Sequence, residues 1–121
     1  MSEVLGSAGS QQTVRVIREY RTAYPEPILV RAGEQVILGR RDDIYPAFFW
    51  VTTRSGASGW MAERDLQLSG EIATACSDYE ATELSITPGE ELTVLDEVGG
   101  WLWCLNANEE RGWIPATHVR F

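Results

Sequence analysis

The sequence predicts an all-β protein built as two small five-stranded barrels in tandem, and three observations carry that prediction. Apolar residues come in short runs separated by turn residues, as in Thr13-Val14-Arg15-Val16-Ile17, Ile28-Leu29-Val30 and Gln35-Val36-Ile37-Leu38. No stretch repeats apolar residues at helical spacing over ten residues or more, which excludes long helices. The same short patterns also return later in the chain, so the architecture repeats itself.

In the first half, Tyr24-Pro25-Glu26-Pro27 and Ala32-Gly33 supply the turns between the three runs above. Proline fixes φ and glycine admits positive φ, so both punctuate strands. A charged loop from Arg40 to Ile44 ends at Tyr45-Pro46, ahead of a Phe48-Phe49-Trp50-Val51 strand. A polar turn then leads to Gly59-Trp60-Met61-Ala62. These five strands, with turns at close intervals, read as a small barrel.

Ser69-Gly70 breaks the pattern, and a second series begins with Glu71 to Cys76. An acidic loop follows from Ser77 to Glu83, then Leu84-Ser85-Ile86, the turn Thr87-Pro88-Gly89, and Leu92-Thr93-Val94-Leu95. The series closes on an aromatic hairpin, with Trp101-Leu102-Trp103-Cys104-Leu105 turning through Asn106–Arg111 into Gly112-Trp113-Ile114-Pro115. Ala32-Gly33-Glu34-Gln35-Val36 aligns with Pro88-Gly89-Glu90-Glu91-Leu92 at a spacing of 56, and Gly59-Trp60 with Gly112-Trp113 at 53. The expected organisation is a flexible tail over 1–12, a repeat over 13–68 and a repeat over 71–121, joined by Ser69-Gly70 and packed as one unit.

Strand parity assigns faces within each repeat. With Cys104 inward, Leu102 is inward too, while Trp101, Trp103 and Leu105 face outward. The first repeat places Phe49 and Val51 inward and Phe48 and Trp50 outward. The outward rings Trp50 and Trp103 are expected to pack the two barrels together.

Composition narrows the function. The 121 residues carry no lysine, and the formal charge is −8. Residues 13–68 hold eight Arg against seven Asp/Glu, whereas 71–121 hold two Arg against ten Asp/Glu. An acidic second half argues against nucleic acid and anionic membranes and favours basic partners. No apolar run is long enough to cross a membrane, and Met1 to Gln12 has no secretory pattern, so the expected compartment is the cytoplasm. Cys76 and Cys104 are expected to be buried and reduced, and the single histidine, His118, gives no metal-ligand pattern with them. Without lysine there is no Schiff-base chemistry, and neither a nucleophile motif nor a phosphate loop is present. The chain reads as non-catalytic and free of cofactors and metals.

The second half resembles an SH3 domain of the variant kind found in bacterial proteins. Ala75-Cys76-Ser77-Asp78-Tyr79 is similar to the family's opening ALYDY, and Glu83-Leu84-Ser85-Ile86 through Pro88-Gly89-Glu90-Glu91-Leu92 to its ELSF…GDEL segment. Trp101 stands at the ligand-contacting tryptophan, Cys104 at a small core residue, and Gly112–Val119 resembles GYIPSNYV. The first half is similar but worn. Val16-Ile17-Arg18-Glu19-Tyr20 stands for the opening stretch, Phe48 for the tryptophan, and Met61–Leu66 for IPSNYV without its proline and tyrosine.

The resemblance implies two SH3-like barrels and a groove for an extended, proline-rich or basic segment. On matching positions that groove is Tyr79, Trp101, Trp113 and Pro115, with Glu80 and Glu83 as its acidic loop and His118 where a tyrosine is usual. Ser77 also replaces a tyrosine, and the loop from Tyr79 to Leu84 is about three residues shorter than the family's. Tyr20, Phe48, Trp50, Trp60 and Trp103 form a second, weaker site or inter-repeat packing. Three readings are carried forward: an adaptor or regulatory module binding a protein or peptide, a structural module whose paired barrels self-associate, and a cell-wall-binding module. The last normally accompanies export and an attached hydrolase.

Overall fold

The computed structural model describes residues 12–22 and 26–121, so the expected tail through residue 11 and the Tyr24-Pro25 turn lie outside the described residues. The protein is all-β. In chain order the strands are β1 (Gln12–Val16), β2 (Leu29–Val30), β3 (Gln35–Arg41), β4 (Phe48–Thr52), β5 (Ser58–Ala62) and β6 (Leu66–Ser69). They continue as β7 (Ile72–Ala75), β8 (Tyr79–Glu80), β9 (Glu91–Val98), β10 (Trp101–Leu105), β11 (Arg111–Pro115) and β12 (Val119–Arg120). Single 3-10 turns, Glu63–Asp65 and Ala116–His118, precede β6 and β12.

Two compact units result, and neither coincides with the first or the second half of the sequence. Unit 1 joins the N-terminal stretch through Thr22 to Leu84–Phe121, and unit 2 is Ala23–Glu83. Each contains a five-stranded antiparallel sheet, in the order β11-β10-β9-β1-β12 in unit 1 and β5-β4-β3-β7-β6 in unit 2. The hydrogen-bonded order does not close on itself in either sheet, where the sequence led us to expect closed barrels. Unit 2 also holds the short ribbon β2-β8.

The opening strands account for this division. β1 begins the first half of the sequence but pairs with β9 and β12 of the second. β7 begins the second half but pairs with β3 and β6 of the first. Ser69 and Gly70, expected to link two barrels, instead belong to the hairpin joining β6 to β7 inside unit 2. Gly70 adopts φ +67, the left-handed conformation that such a tight turn requires. Gln12, assigned above to the tail, opposes Val94 as the first residue of β1.

The exchange is reciprocal in its hydrogen bonds. Gly33 N–H donates to Ala75 O at 2.8 Å, and Gly89 N–H donates to Val16 O at 2.9 Å. Ala75 N–H and Val16 N–H return bonds to Glu34 O at 2.8 Å and Glu90 O at 2.9 Å. Within each turn, Glu34 Oε1 accepts from Arg31 N–H at 3.0 Å and Glu90 Oε1 from Thr87 N–H at 2.7 Å. Farther along, Tyr20 bridges Ile86 and Tyr79 opposes Val30. The pairs are related by the same sequence offsets, so one geometry is built twice with the opening segments crossed over.

Core volumes match the crossing. Unit 2 already buries Phe48, Phe49 and Met61, and its opening strand contributes Ala73 and Ala75. Unit 1 has Leu102 and Cys104 in its centre, and its opening strand contributes Val14 and Val16. Interiors are packed near crystal density, so small residues go to the fuller core and large ones to the emptier. Each fully buried valine contributes roughly 1.5–3 kcal/mol through the apolar surface it removes from water.

Parity holds along β10, where Leu102 and Cys104 are fully buried and Trp101, Trp103 and Leu105 are half-buried. On β4 it fails at Phe48, expected outward yet buried beside the inward Phe49. Alternation sets the face of a sheet on which a residue lies, not whether that face is covered. Cys76 is likewise exposed rather than buried, because β7 ends at Ala75 and the inward positions are Ala73 and Ala75. Cys104 is buried as expected, and burial pushes its thiol pKa up to about 12, leaving it an inert packing group.

The crossing has a direct chemical test. Thr13 opposes Thr93 in the sheet of unit 1, whereas uncrossed pairing would set Thr13 against Ile37, the residue 56 positions before Thr93. With Cys76 replaced by serine, Thr13→Cys/Thr93→Cys should form an intrachain disulfide on mild oxidation. Thr13→Cys/Ile37→Cys should stay reduced on the same non-reducing gel.

Candidate functional site

The side chains able to act together on unit 1 gather at the start of β10 and the 3-10 turn after β11. Trp101 opens β10, directly opposite Pro115 on β11. Pro115 is buried and runs into the turn Ala116–His118, with Ala116 N–H held by Gly100 O at 2.9 Å. The turn places His118 where its carbonyl accepts from Ile17 N–H at 2.8 Å and from Arg18 N–H at 3.3 Å. The segment after β1 is thereby fastened along the turn, and it delivers Tyr20.

Tyr20 presents an edge-on contact to Trp101, with ring centroids 5.9 Å apart and planes at 80°. It makes a second such contact with His118 at 5.7 Å and 84°. Edge-to-face packing sets the positive rim of one ring against the negative face of another, contributing roughly 0.5–1.5 kcal/mol per aromatic pair beyond burial. Tyr20, Trp101 and His118 are all half-buried, so each offers ring surface to solvent while its position is fixed by neighbours. The result is a shelf of flat apolar walls backed by a rigid proline. A separate open recess of about 480 Å³ lies elsewhere on unit 1, lined in part by Ile17, Arg120 and Phe121 and by the exposed pair Arg15–Glu91 at 3.1 Å.

Of the seven residues expected in one groove, four belong to unit 1 and three to unit 2. Trp101, Trp113, Pro115 and His118 are in unit 1, while Tyr79, Glu80 and Glu83 are in unit 2. Trp113 is 7% exposed, and its ring packs against Trp103 at 5.2 Å, so it pairs with that ring and offers little surface outward. Tyr20, grouped above with the weaker site, takes the place beside Trp101 that Tyr79 was expected to fill. Arg18, which the residue patterns did not single out, accompanies it.

The equivalent place in unit 2 is closed. Phe48 replaces the tryptophan and is buried, Ala62 replaces the proline, and Asp65 replaces the histidine. Ser77 Oγ donates to Asp65 Oδ1 at 3.0 Å, while Tyr79 is buried with its hydroxyl donating to Trp60 O at 3.1 Å. Burial, then the charges of Asp65 and Glu83, drives the Tyr79 pKa well above the ordinary tyrosine value. Glu80 accepts from Thr82 Oγ1 at 2.6 Å. Trp50 and Trp60 stack edge-on at 5.0 Å, with the Arg40 guanidinium 5.2 Å from the Trp60 ring centre. Trp103 and Trp113 make the corresponding pair in unit 1.

His118 titrates below the ordinary value of 6.5, first because partial burial disfavours the imidazolium and second because Arg18 repels it. At neutral pH it is therefore an uncharged ring. The unfolded chain takes up the proton first as pH falls, so the stability due to this shift is whole above about 6.5 and is lost below it, towards the lower folded-state pKa. A carbon- or nitrogen-detected NMR titration should give a pKa below 6.5 in the wild type. Arg18→Gln should raise it only part of the way, since burial is the larger cause, and an unchanged value would remove Arg18 from the site.

Residues 73–121 match the family model of the variant SH3 domain. Neither the curated proteins nor the solved structures compared with the chain gave a match. The matched stretch begins in unit 2, with β7 and β8, and runs on through β9 to β12 of unit 1, so the boundary of the family match and the boundary of the folded unit differ. Within this all-β chain, residues 73–121 are therefore similar to a variant SH3 domain, a kind of domain that in general binds proteins or peptides.

Proposed function

We propose that the chain is a non-catalytic adaptor or regulatory subunit made of two tandem SH3-like repeats, of which unit 1 holds an extended peptide segment on Tyr20, Trp101, His118 and Pro115. The observation that carries this reading is the double edge contact of Tyr20 with Trp101 and His118, beside a proline wall. Rings held this way present flat surface at small entropic cost, which suits a preordered polyproline segment. The second repeat supplies most of the shelf, and the first supplies Tyr20 through the crossed β1 segment. The worn repeat has thus kept its opening tyrosine in use although its own equivalent site is filled. Among the described residues no helix is long and apolar enough to cross a membrane, and a cytoplasmic setting belongs to this proposal.

The reciprocal crossing of β1 and β7 favours one second reading, a self-associating structural module. Strands that complete another part of the same chain can complete another copy by the same bonds, which is a low-cost route to dimers.

Trp101→Ala separates the two readings. Under the binding reading it should weaken peptide affinity by roughly thirtyfold, about 2 kcal/mol, as for a central interface aromatic. Its thermal midpoint should fall by only a few degrees, because Trp101 is half-buried rather than core. Light scattering that shows a dimer unaffected by the substitution, with no peptide binding in either protein, would favour the structural reading instead.

A further inference from the structure

We propose that the aromatic shelf of unit 1 prefers an extended segment carrying an Asp or Glu side chain, with Arg18 as the group that receives it. The proposal rests on the shelf being a peptide site and specifies what that site selects.

Regrouping by folded unit changes the charge that the shelf carries. The acidic half of the sequence gives up Glu71, Asp78, Glu80 and Glu83 to unit 2, and unit 1 acquires Arg15, Arg18 and Arg21, together with Glu3 and Glu19, from the N-terminal stretch. Unit 1 then holds eight Asp/Glu against five Arg, a net −3, in place of the −8 borne by residues 71–121. The local arrangement decides more than the total. Arg18 lies two residues before Tyr20, and its backbone N–H bonds His118 O at 3.3 Å. That bond ties its backbone to the turn carrying His118, and repulsion from its charge is the second cause, after burial, that lowers the pKa of the His118 ring.

Arg15 and Arg21 are each occupied, Arg15 by Glu91 at 3.1 Å and Arg21 by Glu19 at 3.3 Å. No carboxylate among the described residues lies within ion-pair distance of Arg18. Asp96 and Glu97 on β9 oppose Trp103 and Leu102 on the neighbouring strand. A guanidinium can take a carboxylate through two parallel N–H···O bonds, a stronger and more directional contact than a neutral hydrogen bond. A basic ligand at the same place would meet like charge.

The test uses three fluorescein-labelled ten-residue peptides that share a Pro-x-x-Pro core and differ in flanking residues: Glu, Gln or Arg. Anisotropy titrations with the full chain at low salt should rank Glu above Gln above Arg, with about tenfold between the extremes. Arg18→Glu, an exposed change checked by its thermal midpoint, should reverse the ranking, and Trp101→Ala should weaken all three. If the Arg-flanked peptide binds tightest and Trp101→Ala abolishes that binding, the shelf is a peptide site but its acidic preference is overturned. An unchanged ranking in Arg18→Glu overturns the preference in the same way. If no peptide binds, or Trp101→Ala changes nothing, the underlying peptide-site reading falls with it.

Discussion

A β-strand at the start of a small sheet must find two neighbours to satisfy its backbone and one core to receive its inward side chains. In this chain β1 finds both in strands from the other half of the sequence, β9 and β12. Its valines enter a core centred on Leu102 and Cys104. β7 does the converse with β3 and β6. The division into units, the local charge and the company kept by Trp101 all descend from that choice. Backbone pairing alone is indifferent to it, since both openings offer the same donors and acceptors. Side-chain volume is not, because alanines suit the core filled by Phe48, Phe49 and Met61, while valines suit the other.

Much of the architecture was legible in the sequence because strand and turn chemistry are local. Alternation along Trp101–Leu105 gave the correct faces, and the Gly33 and Gly89 turns share one geometry at the spacing of 56 read from the repeat. Which opening strand joins which sheet was not legible from pattern, because two copies of one pattern fit equally well in either order. The signal lay in volumes: Val14 and Val16 to be matched with the smaller set of core residues, and Ala73 and Ala75 with the larger. For the same reason the candidate site was half read. Trp101, Pro115 and His118 come from one continuous stretch and could be grouped from it. Tyr20 reaches them only through the crossing, and the acidic loop expected beside them belongs to unit 2. Burial of Phe48 and exposure of Cys76 depend on what covers a face and where a strand stops, which periodicity does not encode.

The two units also show how one framework can keep a surface or fill it. In unit 1 a tryptophan, a proline and a histidine leave ring faces accessible around Tyr20. In unit 2 the same positions carry Phe48, Ala62 and Asp65, and the serine before Tyr79 bonds the aspartate. A polar pair and a buried ring replace a shelf with little change in the surrounding ladder. The outer ring pairs, Trp50 with Trp60 and Trp103 with Trp113, persist in both units, so this element was retained where the shelf was not.

The hairpin at Ser69-Gly70 carries a consequence for the covalent chain. A break there would separate two polypeptides, each holding the opening strand that completes the other's principal sheet. Neither piece could satisfy its own β3 or β9 edge by those native pairings, and the two would be bound to each other as interlocked fragments. Neither fragment carries on its own the opening strand that its principal sheet uses, so a cut at this hairpin would leave the fold dependent on both pieces.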